Sequence, residues 1–105
     1  MKDNDVIQQT TVFVKKQLAD AEGGHDWWHA WRVWNNTKFL LQHEKADRLI
    51  SELSALLHDV ADPKFHEGDE TKGPEKAAEF LISREMPEDK IDQIIYVIKN
   101  ISFSS

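Results

Sequence analysis

The dipeptide His58-Asp59 sits in Leu53-Ser54-Ala55-Leu56-Leu57-His58-Asp59-Val60-Ala61, a run otherwise built for burial. A carboxylate buried there needs a compensating partner, because an unpaired buried charge costs more than a short helix can supply. A metal ion is the simplest partner for an adjacent imidazole and carboxylate. About thirty residues earlier, His29 lies in the run His29-Ala30-Trp31-Arg32-Val33, where a second imidazole could face the same point. One histidine on one helix and a His-Asp pair on the next point to a metal-dependent hydrolase. Two neutral imidazoles and a carboxylate suit first-row divalent ions, with Mn, Fe, Co or Ni favoured over a closed zinc site, and Mg also admitted.

Geometry limits this reading. Consecutive helical residues point about 100° apart, so His58 and Asp59 reach one ion only near a helix end or over its edge. Pro63 places such an end close by. The same pair also fits a core histidine followed by an aspartate hydrogen-bonded to a neighbouring helix.

The elements that must carry these residues are helical. Val6, Ile7, Phe13, Val14 and Leu18 recur at helical spacing after Asp3-Asn4-Asp5, and Gly23-Gly24 closes that segment. Asp26 can cap a second helix with Trp27, Ala30, Trp34, Thr37 and Leu41 on one stripe and Trp31 alongside. Asp47 starts a third, sending Leu49, Ile50, Leu53, Leu56, Leu57 and Val60 toward the core. Residues 63–72 read as a polar loop, Pro74 suits a first helical position, and Ala77, Ala78, Leu81 and Ile82 continue a fourth helix. Pro87-Glu88 opens a fifth with Ile91, Ile94, Ile95 and Ile98 inward, spaced by three and four rather than two. The expected fold is an all-α bundle of about five helices in one domain, residues 1–105. Ile101 and Phe103 read as apolar groups awaiting a partner, so the natural chain is expected to continue.

Composition excludes several classes. With 105 residues, 40% of them hydrophobic, the chain is globular rather than disordered. It has no apolar run near the ~20 residues of a membrane span and no signal-peptide pattern at its start. Zero cysteines remove disulfides and thiolate ligands, which fits a reducing cytoplasm. A net charge of −6 argues against a nucleic-acid polymer as partner, but a metal and a few local cations can still manage a small phosphorylated substrate.

At this point the sequence resembles the HD-domain metal-dependent phosphohydrolases. The resemblance is carried by Gly24-His25-Asp26-Trp27-Trp28-His29 running into Arg32-Val33-Trp34, by Ala55-Leu56-Leu57-His58-Asp59-Val60, by Asp62-Pro63-Lys64-Phe65, and by Ile101-Ser102-Phe103. It covers roughly residues 20 to 105. It implies a metal held by His29, His58 and Asp59, with a fourth, aspartate ligand C-terminal of the segment matching Ile101-Ser102-Phe103. No aspartate follows that point, so the chain looks like the N-terminal part of a longer HD protein; Asp92 or Asp69 would be stand-ins within it. His25 and His29 also have the four-residue spacing of a helical zinc-peptidase motif. The intervening acid is the shorter Asp26, however, so His25 and Asp26 are expected as pocket-edge residues or caps.

The expected chemistry is hydrolysis of a phosphoester or phosphoanhydride, and the resemblance makes a nucleotide the first substrate class. Arg32 and Lys64 would neutralise phosphate oxygens, and Asp62 or Asp26 would take the proton of the attacking water. Trp27, Trp28, Trp31 and Trp34 could stack a base, but at helical spacing most are expected in the core. Glu67, Asp69, Glu70 and Lys72 read as solvated loop, and His43 and His66 as surface residues. Two other readings remain: a noncatalytic HD module that binds nucleotide or metal, and a helical interaction domain. A homodimer would be one way to cover the apolar C-terminal end.

Overall fold

A computed structural model describes residues 3–19, 27–41, 47–61 and 71–102. Five helices make up the fold: α1 (Asp3–Gln17), α2 (Trp27–Leu41), α3 (Arg48–Ala61), α4 (Lys72–Ser83) and α5 (Glu88–Ser102). There is no strand among the described residues, so the all-α expectation holds. No helix among them is long and apolar enough to cross a membrane.

α3 is the centre of the bundle, packed against α1, α2, α4 and α5. Asp47 starts it as expected: its Oδ1 accepts the backbone N–H of Ile50 at 3.1 Å, which satisfies one of the helix's unpaired first-turn donors. From Leu49 to Ala61 every residue except Ser51 is buried. A helix covered on all sides must bury polar groups too, and Glu52, Ser54, His58 and Asp59 are among them. Ser54 meets that cost locally by donating to the Ile50 carbonyl at 2.7 Å.

The other helices contribute one face each. α1 supplies Val6, Val14 and Leu18, and buries Thr10 by donating its hydroxyl to the Val6 carbonyl at 2.7 Å. It begins at Asp3, so the polar triplet forms its first turn rather than a lead-in. Acids there and Lys15 and Lys16 at the other end complement the helix dipole. α1 meets α4 through stacked Phe13 and Phe80 rings, 4.2 Å apart, and through Arg84, which donates to Gln9 Oε1 at 2.8 Å. α5 buries Ile91, Ile94 and Ile98, while Ile95 is only partly covered.

α4 begins two residues earlier than the proline implied. Lys72, read as loop, is its first residue, and Pro74 still falls in the first turn, where a missing N–H costs nothing. The early start depends on Gly73, where a Cβ would stand 2.2 Å from the Ala61 carbonyl oxygen. Only a residue without a side chain lets α4 approach the end of α3 this closely. Ile82 continues the helix as expected and is 63% exposed. At the far end Met86 donates its N–H to the Leu81 carbonyl and Glu85 to that of Ile82, with Glu85 at φ 61°. That is a Schellman turn whose left-handed position carries glutamate instead of glycine.

Candidate metal centre

Two polar contacts join α2 to α3. Near the start of α2, His29 Nδ1 lies 2.6 Å from Asp59 Oδ2; farther along, Trp34 Nε1 donates to Glu52 Oε1 at 2.8 Å. An early α2 residue meets a late α3 residue, and a later one meets an earlier one, so the helices run antiparallel. This pairing brings His29 opposite the His58-Asp59 dipeptide although about thirty residues separate them.

The three side chains converge at one point. One donor atom from each of His29, His58 and Asp59 lies within 4.8 Å of the others. That spread is comparable to the about 4 Å between opposed donors on an ion with bonds of about 2.0–2.2 Å. The imidazole rings are tilted at 51° with centroids 5.6 Å apart. Asp59 is almost wholly buried, its side chain 2% exposed, against 11% for His58 and 36% for His29. The cluster is therefore deep on the α3 side and reachable from the α2 side.

Hydrogen bonding assigns the tautomers. His58 Nδ1 lies 2.7 Å from the Ala55 carbonyl, which can only accept, so the ring proton sits on Nδ1. By the same logic His29 Nδ1 donates to the Asp59 carboxylate. In the neutral form of each ring this leaves Nε2 as the atom by which histidine ligates, with the other nitrogen anchored on a carbonyl or carboxylate. His58 Nε2 stands 3.3 Å from Asp59 Oδ1. An imidazole nitrogen and a carboxylate oxygen at that distance can share a cation or a proton. The donor set fits a divalent ion.

The placement also answers how one helix could present two consecutive ligands. His58 and Asp59 lie in the last turn of α3, near the helix end, and Asp59 turns toward α2. Arg32 is exposed on α2, three positions beyond His29. Asp92 is exposed on α5 and lines a groove of about 590 Å³ between α4 and α5 with Pro74, Ile95 and Tyr96. It does not join the cluster, which comprises only His29, His58 and Asp59 among the described residues. Asp62, Lys64, His25, Asp26, His43, His66, Asp69 and the remaining 62–70 segment lie outside the described residues, as do Phe103 and the side chains of Leu41 and Ile101.

Glu52 is the residue that sequence reasoning missed. It is 1% exposed, and besides the Trp34 indole it takes Arg48 Nε at 2.7 Å. Its spacing of seven from Asp59 was the available signal, since positions seven apart share a helix face.

A family model for the HD domain matches residues 27–102, from the first residue of α2 to the last of α5. The chain belongs to the HD domain family. A curated relative, the uncharacterized protein YpgQ of Bacillus subtilis (strain 168), is 31% identical over 103 residues. That alignment takes in 98% of this chain and 50% of the relative, so this HD domain spans about half the length of the curated relative it matches. No solved structure matches it. α1 lies ahead of the family match yet packs Val6, Val14 and Leu18 into the HD domain's core.

Proposed function

We propose that this HD domain is a metal-dependent phosphohydrolase that cleaves a phosphoester or phosphoanhydride bond of a small, nucleotide-like substrate. The observation that carries the reading is the convergence of His29, His58 and Asp59, with both Nδ1 atoms held by acceptors. A bound divalent ion would supply Lewis acidity toward phosphate oxygens and a water of lowered pKa.

The chain's own residues would do the rest. The Ala55 carbonyl holds the His58 ring so that Nε2 faces the cluster. Asp59 orients His29 and brings the negative charge that favours a cation. Arg32, exposed one helical turn from His29, would neutralise phosphate oxygens, joined by Lys64. Asp62, three residues beyond Asp59 in the chain, would take the proton of the attacking water. The net charge of −6 disfavours a nucleic-acid polymer as substrate and leaves a small phosphate compound.

A noncatalytic metal-binding HD module is the second reading, favoured by the three rather than four donors brought together among the described residues. Metal content and turnover separate the two. Purified protein is expected to retain Mn, Fe, Co or Ni near one equivalent, to lose it on His58→Ala, and to release phosphate or pyrophosphate from nucleoside triphosphates. Metal retention without turnover of any phosphate compound would select the binding module. Failure to retain any ion after loading would sink both.

A further inference from the structure

α5 buries one face and leaves another uncovered. Ile91, Ile94 and Ile98 enter the core. Asp92, Tyr96 and Lys99 are exposed beside half-buried Ile95, and Tyr96, at 70%, is the most exposed large apolar side chain among the described residues. Residues 92, 95, 96 and 99 fall within one arc of about 100° around the helix, so they form a single outward stripe. Tyr96 stands on it as a ridge between two hollows. One is the groove of about 590 Å³ against α4, lined by Pro74, Ala78 and Ile95; the other, of about 360 Å³, is lined by Ile50 and Val97.

The two charges on this stripe find no opposite charge on their own helix. Helical charges pair with positions three or four away. Asp92 has Glu88, Asp89, Ile95 and Tyr96 there, and Lys99 has Ile95, Tyr96 and Ser102. Among the described residues neither joins an ion pair, whereas Lys90 on the same helix reaches Asp47.

Their order is self-complementary. Let α5 lie antiparallel to a second copy of itself, with the two-fold axis between residues 95 and 96. Asp92 then stands opposite the partner's Lys99, and Lys99 opposite the partner's Asp92. Ile95 meets the partner's Tyr96. Because Ile95 lines the α4 groove, each tyrosine ring is brought over the other copy's groove. A two-fold interface requires this matching, in which contact i to j is repeated as j to i.

We infer that the α4–α5 face is a homodimer interface, with Tyr96 of each copy seated in the groove of the other between two Asp92–Lys99 ion pairs. The stretch from Asp92 to Lys99 is only about 10 Å of helix rise. A patch of that size gives a weak dimer that forms with rising concentration. None of these residues belongs to the His29–His58–Asp59 cluster, so the inference is independent of the phosphohydrolase reading.

Sedimentation equilibrium of the full chain, from micromolar to millimolar concentration, tests it. Wild type should pass from monomer to dimer over that range; a monomer throughout overturns the interface. Tyr96→Ala should weaken association by about 10-fold or more, the loss of a central aromatic anchor. Its side chain is exposed, so circular dichroism should report an unchanged bundle. Charge reversal is the sharper arm. Asp92→Lys and Lys99→Asp each place like charges in both cross-pairs, so either alone should weaken the dimer by about 10-fold or more. Mixing the two variants restores opposite charges in both cross-pairs and should recover association as a heterodimer. Asp92→Lys/Lys99→Asp in one chain should recover the homodimer. A dimer indifferent to the single reversals, or a mixture that stays monomeric, overturns the assignment. Metal content per chain should be the same in every variant, and its loss would deny the independence from the cluster.

Discussion

The two seams that α3 makes with α5 and with α2 are built from different chemistry. Toward α5 the covering residues are Ile91, Ile94 and Ile98, which join the leucines of α3 in one apolar cluster. The described polar contact between these two elements is at the rim, Lys90 Nζ to Asp47 Oδ2 at 3.7 Å. Toward α2 the seam holds two buried acids, Asp59 and Glu52, each bonded across the interface. Apolar contact stabilises in proportion to area and tolerates sliding. A buried carboxylate tolerates little, because losing its donor leaves a desolvated charge. The α5 seam therefore holds the bundle together, and the α2 seam fixes how one helix stands against the next. A site assembled from both helices belongs on the second.

Substitutions can break this contrast, and the largest effect is expected on the apolar side. Ile94→Ala should cost about 2–5 kcal/mol in urea unfolding, the range for emptying a fully buried aliphatic site. It should leave the metal content of the folded fraction unchanged. Parallel loss of metal would mean that the two seams are not separable. Next comes Trp34→Phe, which keeps the ring but strips Glu52 of its indole donor. About 1–3 kcal/mol should be lost, since the acid remains buried with one partner fewer. Here metal affinity should fall as well, because the α2–α3 register is loosened.

Asp59→Asn sharpens the distinction further. It removes a buried charge but retains an oxygen for His29 Nδ1, so metal-free stability should stay within about 1 kcal/mol of wild type. Metal retention after desalting should nonetheless vanish. A large stability loss with intact metal binding would reverse the assignment of the seam. The smallest effect lies outside both seams, at the α4–α5 turn. Glu85→Gly relieves a left-handed glutamate and should gain about 0.5–1 kcal/mol, with metal content untouched.

Much of the fold was legible because helical burial repeats every three to four residues. Leu49, Ile50, Leu53, Leu56, Leu57 and Val60 were read from that spacing and all are buried. Ile91, Ile94 and Ile98 follow the same rule, and Asp47 caps α3 where a short polar side chain should. The rule fails where a helix has two neighbours or none. Ile82 had the right spacing but no helix among the described residues lies over it, and Trp31 stands at 41% exposure beside a stripe of which Ala30 is buried and Trp27, Trp34 and Thr37 are half-buried. The four tryptophans, expected mostly in the core, are split evenly between core and surface.

The sequence alone determined that the chain forms amphipathic helices around an apolar third helix, and that His29, His58 and Asp59 are the candidates for a shared ion. Those are properties of residue type and local period. Only the tertiary structure decided that α2 runs antiparallel to α3, that Asp59 turns toward His29 while His58 leans on its own helix through Ala55, and that Glu52 is buried beneath Trp34. It also decided that Gly73 admits α4 against Ala61 and that Trp28 and Trp31 remain exposed on α2. Spacing reports which side chains share a face. Which helix covers that face, and which acid meets which donor, depends on packing between segments far apart in the chain.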